Sequence, residues 1–126
     1  MSLENWAKSW SPGSGGTPAD VASQYHPDAV RYDRESRTQG RDGVTAFAEG
    51  FMRAAPDAVL EVRTRLEQGS TVVIEWVWRG THTGDLEGWP ATGEKFILEG
   101  CNVFQMQDGR IREERSYWDW EQIRRA

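Results

Sequence analysis

The stretch that decides the fold is Thr71-Val72-Val73-Ile74-Glu75-Trp76-Val77-Trp78-Arg79-Gly80-Thr81-His82-Thr83. β-Branched and aromatic residues dominate it, and these suit a pleated, half-buried surface. Side chains two apart share one face of a strand. Val72, Ile74, Trp76 and Trp78 therefore form one apolar face, while Val73 and Val77 lie on the other. A long strand that is apolar on both faces needs cover on both. In an antiparallel sheet this predicts helices on one side and a second copy of the chain, making a homodimer, on the other.

The period of two continues on either side. Strands are expected over 59–67, 71–83, 95–107 and 110–119. Gln68-Gly69-Ser70 is a turn, Asp108-Gly109 is a tight hairpin signal, and Gly84, Gly88 and Pro90 mark a loop. Upstream the pattern is helical. Residues 3–10 place Trp6 and Trp10 four apart on one helix face, and Ser11-Pro12-Gly13-Ser14-Gly15-Gly16 is a loop. Thr17 caps a second helix, with Pro18 at its first position and Asp20 in its first turn. That helix carries Val21, Ala22 and Tyr25 until His26-Pro27 ends it. A short strand over 28–33 leads to the polar loop Arg34-Glu35-Ser36-Arg37 and then the turn Gly40-Arg41-Asp42-Gly43. Val44, Phe47, Phe51 and Met52 make a third helical stripe ending near Ala54, and a short terminal helix is expected over 120–125. Helices followed by a meander of strands mean an α+β fold, with the N-terminal helices on one face of a curved antiparallel sheet. Residues 1–126 form a single domain.

Composition narrows the function classes. One cysteine, Cys101, allows no intrachain disulfide and fits a reducing cytoplasm. A formal net charge of −5 with no Lys/Arg cluster argues against nucleic-acid binding. No stretch approaches the ~18 consecutive apolar residues of a membrane span, and the opening MSLENWAKSW lacks a signal peptide's basic and apolar regions. His26, His82 and Cys101 show no metal-ligand spacing, so no metal is expected. No glycine-rich phosphate loop suggests a nucleotide cofactor, and no Gly-x-Ser-x-Gly elbow supplies a serine nucleophile. Seven tryptophans stand out. They serve either a core and subunit interface or a pocket for a flat, apolar ligand.

Tyr25-His26-Pro27-Asp28-Ala29-Val30, Gly80-Thr81-His82-Thr83-Gly84, Pro90-Ala91-Thr92-Gly93, Asp108-Gly109-Arg110-Ile111 and Tyr117-Trp118-Asp119 follow one another in order. Together they resemble the SnoaL-like polyketide cyclases, over nearly the whole chain. The resemblance implies a nuclear-transport-factor-like (cystatin-like roll) fold, with a cone-shaped cavity between sheet and helices. It also implies cofactor-free acid–base catalysis on a small carbonyl compound. In that family an aspartate on the last strand is acid/base for an intramolecular aldol closure, and Asp119 stands in its place. The chain is more distantly similar to ketosteroid isomerases. There Asp33 falls at the base, Asn102 at the oxyanion-hole carboxylic acid and Trp6 near the tyrosine donor, so two of three positions depart from the isomerase pattern. Many cyclases carry Glu-His-Trp after the hairpin, where this chain has Glu113-Glu114-Arg115.

The residues themselves leave alternatives open. Strict alternation over 110–119 puts Tyr117 and Asp119 on one face, opposite Trp118. If that face is the cavity, burial among aromatic rings would raise the Asp119 carboxyl toward a useful general base. Otherwise Asp119 caps the terminal helix. His82 shares parity with Trp76 and Trp78, and either polarises a substrate carbonyl or holds the following loop. Asn102 sits among large apolar neighbours and bonds either a ligand carbonyl or Asp119 and Tyr117. Asp33 is either a second-choice base or a surface ion pair beside arginines. Trp76, Trp78, Tyr117, Trp6, Tyr25 and Tyr32 are the expected cavity walls. The rival readings are a non-catalytic small-molecule-binding domain and a dimeric scaffold whose tryptophans fill its own cavity.

Overall fold

The computed structural model describes residues 3–33, 36–86 and 88–119. Among the described residues, α-helices α1 (Leu3–Ser9) and α3 (Gly40–Ala54) pack against a six-stranded sheet, and α2 (Pro18–Ala22) packs on α3. The strands of the sheet are β1 (Tyr25–Asp33), β2 (Ser36–Gln39), β3 (Val59–Gln68), β4 (Thr71–Thr81), β5 (Lys95–Gln107) and β6 (Arg110–Trp118). They lie in the order β2-β1-β6-β5-β4-β3. The expected α+β architecture, with its meander of long antiparallel strands, is present. No helix among the described residues is long and apolar enough to cross a membrane.

Local chemistry explains the helices. The Thr17 side chain accepts from the Asp20 backbone N–H at 3.2 Å, capping α2. Val44, Ala48 and Met52, four apart, are the buried stripe of α3, and Phe47 and Phe51 lie beside it, half-buried. The expected turn at 40–43 is instead the first turn of that helix.

Tyr25 was expected in α2 and instead opens β1. β1 pairs in parallel with β6, so one junction of the sheet is not antiparallel. The register shifts between Tyr25 and Val30, and Pro27, which has no N–H to give a ladder, sits in that irregular stretch. Beyond it Arg31 lies opposite Glu114 and Tyr32 opposite Arg115. The expected polar loop after Asp33 gives way at Ser36 to the short edge strand β2.

β6 breaks the alternation read from its sequence. Met106 pairs with Ile111 but Gln105 pairs with Glu113, so Arg112 is an extra residue. Before this bulge the inner face carries Ile111; after it the even positions Glu114, Ser116 and Trp118 face inward, and Tyr117 turns out to solvent, 58% exposed. The core between helices and sheet contains Trp6, Tyr25, Ile74, Leu98, Phe104 and Ile111, all fully buried. The expected terminal helix over 120–125 lies outside the described residues.

Candidate active site

A cavity of about 50 Å3 lies between α1, α3 and the concave face of the sheet. Trp6, Trp10, Trp76, Trp78, Trp118, Phe47 and Phe51 are the aromatic part of its wall. Trp76 can lie flat because β5 carries Gly100 opposite it: a Cβ there would fall 2.3 Å from the Trp76 ring. Trp78 packs between Phe51 (4.9 Å) and Phe96 (4.7 Å), tilted to each by about half a right angle. These contacts fix the rings as a rigid box.

The polar part of the wall is Arg31, Asn102 and Ser116. Asn102 is a hub. Its Oδ1 accepts from Trp76 Nε1 at 2.9 Å and from Ser116 Oγ at 2.8 Å, and its Nδ2 donates to Glu114 Oε2 at 2.5 Å. Glu114 is fully buried, and its Oε1 accepts from the Tyr25 hydroxyl. Burial and then the Glu114 charge push the Tyr25 hydroxyl pKa well above the ordinary tyrosine range.

Arg31 is the cation of this cluster. Its guanidinium lies 3.2 Å from Glu114 Oε1 and 3.4 Å from Asp33 Oδ2. It also sits 4.1 Å from the centre of the Phe47 ring and 5.5 Å from that of Trp10. Burial alone would lower its pKa; the charge of Glu114, joined by Tyr25 and Asp33, outweighs burial and raises it. Both carboxylates are in ion-pair range, yet neither Nε nor Nη1 points at a protein acceptor in hydrogen-bond geometry. The indole N–H groups of Trp6 and Trp10 are likewise buried without an acceptor among the described residues. The site therefore carries a surplus of donors.

The residues singled out from sequence fall into three groups. Trp6, Trp76, Trp78 and Asn102 line the cavity. Asn102 does so bonded to Trp76, Ser116 and Glu114, not to Asp119 or Tyr117. Asp33 and Tyr25 are buried just behind the wall. Asp33 is no surface ion pair: its Oδ1 accepts from Trp118 Nε1 at 2.5 Å. Tyr117, Tyr32, Asp119 and His82 lie elsewhere. Tyr117 is on the outer face, and the half-buried Tyr32 stacks under Arg115 at 4.4 Å on that same face. Asp119 is exposed, one residue past β6 and beside the cavity-lining Trp118, because the bulge at Arg112 inverts the expected parity. His82 is buried but does not line the cavity. Its backbone fastens the following loop through Glu94 O (2.9 Å) and Gly93 N–H (2.8 Å), and neither ring nitrogen has a partner among the described residues.

Sequence reasoning missed Arg31, Glu114 and Ser116. A signal was available in Tyr25, Ala29, Arg31 and Asp33, which share odd parity and are all buried. It was masked by Val30 and Tyr32, apolar residues on the half-buried outer side.

Comparison with known proteins gives this geometry a family. The model of the SnoaL-like polyketide cyclases matches residues 3–126. The chain is 32% identical over 114 residues to the aklanonic acid methyl ester cyclase of Streptomyces peucetius, covering 83% of this chain and 75% of that one. It is 32% identical over 111 residues to the nogalonic acid methyl ester cyclase of Streptomyces nogalater, covering 84% and 81%. In fold it is similar to a ketosteroid isomerase-like protein from Catenulispora acidiphila, solved in complex with trimethylamine. The TM-score is 0.82 at 15% identity, over 96% of this chain and 87% of that one. With a match along the whole described length and relatives at 32% identity, the chain belongs to the SnoaL-like polyketide cyclase family and is a polyketide cyclase-like enzyme.

Proposed function

We propose that the chain catalyses cofactor-free acid–base chemistry on a small hydrophobic carbonyl compound: an intramolecular aldol closure, or a related isomerisation. The observation that carries this is Arg31, a buried guanidinium and, among the described residues, the one charged group in a wall that is mostly aromatic and aliphatic. In an aldol closure a base removes a proton next to a carbonyl, and the carbonyl oxygen takes up negative charge as the enolate. The enolate carbon then attacks a second carbonyl, whose oxygen receives a proton. A fixed cation stabilises the oxygen where charge grows, and an apolar surround strengthens the effect.

Arg31 takes the oxyanion role in place of His82. Asn102 holds Trp76 and Ser116 in position. The base is Asp119, which is exposed one residue beyond Trp118 and outside the cavity wall, so it acts on a part of the substrate that extends past the mouth. The cyclases of the two Streptomyces relatives are named for acid methyl esters. Ester and ketone oxygens are acceptors, and they match the donor surplus of Arg31, Trp6 and Trp10.

The test is conversion of aklanonic and nogalonic acid methyl esters by wild type, Arg31→Met and Asp119→Asn, with binding followed by tryptophan quenching. Wild type should form product. Asp119→Asn should keep saturable quenching and lose roughly 10²–10⁴-fold in kcat, the usual worth of a general base. Quenching without product from wild type would mark a binding domain instead.

We also propose a homodimer through the outer sheet face, which exposes Ile97 and Tyr117. Sedimentation should give twice 14.3 kDa for wild type and one 14.3 kDa chain for Tyr117→Glu; a wild-type monomer would refute it. A cytoplasmic location fits the free Cys101.

A further inference from the structure

The cavity, at about 50 Å3, is far smaller than the roughly 300–1,000 Å3 of most small-molecule sites. The chain's own rings take the remaining space, so a ligand of several rings needs one of them to move. Exposure identifies which. Trp6, Trp10, Trp76 and Trp78 are buried, whereas Phe47, Phe51 and Trp118 are half-buried and form the rim. Phe47 and Phe51 project from the middle of α3 and pack on each other at 4.8 Å. Trp118 is different: it is the last residue of β6, where the ladder ends. It meets Phe51 edge-on at 5.9 Å, and its indole N–H donates to Asp33 Oδ1 at 2.5 Å. The other Asp33 oxygen lies 3.4 Å from Arg31. One carboxylate thus joins the rim ring to the cation in the wall.

We infer that Trp118, tethered through its indole N–H to Asp33, sets the width of the cavity mouth, and that Asp33 is a positioning residue selecting ligands by size. Small ligands pass beside the tethered ring. Wider ones enter only when the Trp118–Asp33 bond opens and the ring swings outward. Asp33, read from sequence as a candidate base, acts here through Trp118 and touches no substrate atom. The inference rests on the proposed reading of the cavity as a ligand site, but it is read by binding and needs no turnover.

The probes are two neutral ketones, the two-ring 1-tetralone and the three-ring 9-fluorenone, with association rates taken from stopped-flow tryptophan quenching. Asp33→Ala removes the acceptor and leaves the ring. It should raise the 9-fluorenone rate roughly tenfold, the effect of losing one hydrogen bond to a charged acceptor. The 1-tetralone rate should change by less than about twofold, since that narrower probe needs the ring to swing less far. Asp33→Asn keeps an acceptor oxygen, though a neutral one, and should bring the 9-fluorenone rate back most of the way toward wild type. Equal changes for the two ketones, no change for either, or the same rise in Asp33→Asn would overturn the tether. If Asp33→Ala does not fold, Trp118→Phe must give the same size-selective rise. Failure of both ketones to quench wild type and every variant would reject the cavity itself as a ligand site. Quenching that is identical across variants would reject the tether alone.

Discussion

β6 carries nearly the same chemistry on its two faces, with opposite physical consequences. On the inner face Glu114 pairs with Arg31, and the guanidinium lies over Phe47. On the outer face Glu113 pairs with Arg115 at 2.8 Å, and that guanidinium lies over Tyr32. The inner pair is 5% and 0% exposed, the outer pair 46% and 38%. Outside, water and salt screen the charges, and such pairs contribute little. Inside, each charge depends on its partners because water cannot replace them. The outer cluster is a solvated face. The inner one is a buried set of charges at the end of a cavity, and the proposed oxyanion role of Arg31 depends on their staying fixed.

The largest effect should come from removing one member of the inner cluster. Glu114→Ala leaves Arg31 with Asp33 alone and strands the Tyr25 hydroxyl and one Asn102 N–H. Breaking a buried pair in this way costs roughly 3–5 kcal/mol, readable as a lower urea midpoint at unchanged slope. A loss below about 1 kcal/mol would place the inner pair on the same footing as the outer one.

The next effect tests whether the cluster acts as a unit. Arg31→Met and Glu114→Gln each leave a partner unmatched, and the double substitution removes both charges. In a double-mutant cycle the two should be non-additive by roughly 0.5–3 kcal/mol, with the double variant more stable than the sum of the singles predicts. Strict additivity would mean that the 3.2 Å approach of Arg31 to Glu114 contributes no coupling.

How much of this was legible follows from the same strand. The meander β3–β6 and the inward face of Val72, Ile74, Trp76 and Trp78 could be read because alternation there is strict and apolar. The SnoaL-like motifs brought the correct family into view. The cluster could not be read, for two reasons. The bulge at Arg112 switches the inner face from Ile111 to Glu114, so alternation counted through it exchanges inside for outside and sends Tyr117 and Asp119 to the wrong place. Two partners of Glu114, Tyr25 and Arg31, also come from β1, paired in parallel over more than eighty residues of sequence. A charged residue read alone has a surface prior. Only the register of Arg31 opposite Glu114 makes burial affordable to both.

A third effect sharpens the comparison through pH. Tyr25 is buried against Glu114, and its pKa is raised well above the ordinary value, first by burial and then by that charge. The native state therefore holds the Tyr25 proton more tightly than the unfolded chain, whose tyrosines titrate near pH ~10. The resulting stability is complete below about pH 10 and is lost as pH rises from there toward the folded pKa. Stability curves should fall above about pH 10 in wild type and less steeply in Tyr25→Phe. That variant should also be weaker at neutral pH by roughly 1–3 kcal/mol, the cost of an unmade bond to a buried carboxylate. Absorbance at 295 nm should show one tyrosine ionising only together with unfolding.

The smallest effect is expected where the chemistry looks most similar. Glu113→Ala breaks the outer pair, which keeps its arginine in reach of water and stacked on Tyr32. Exposed ion pairs of this kind give roughly 0.2–1 kcal/mol in double-mutant cycles. The loss should shrink further between low and physiological salt, as the Debye length contracts to about 8 Å. The Glu114→Ala loss should hardly depend on salt, because no ions enter the space it occupies. The ratio of the two salt dependences thus measures the difference between the faces without reference to activity. A Glu113→Ala loss that matches Glu114→Ala in size and is equally indifferent to salt would mean that the outer face is covered in solution. It would then have to be measured again in Tyr117→Glu, where that cover is expected to be absent.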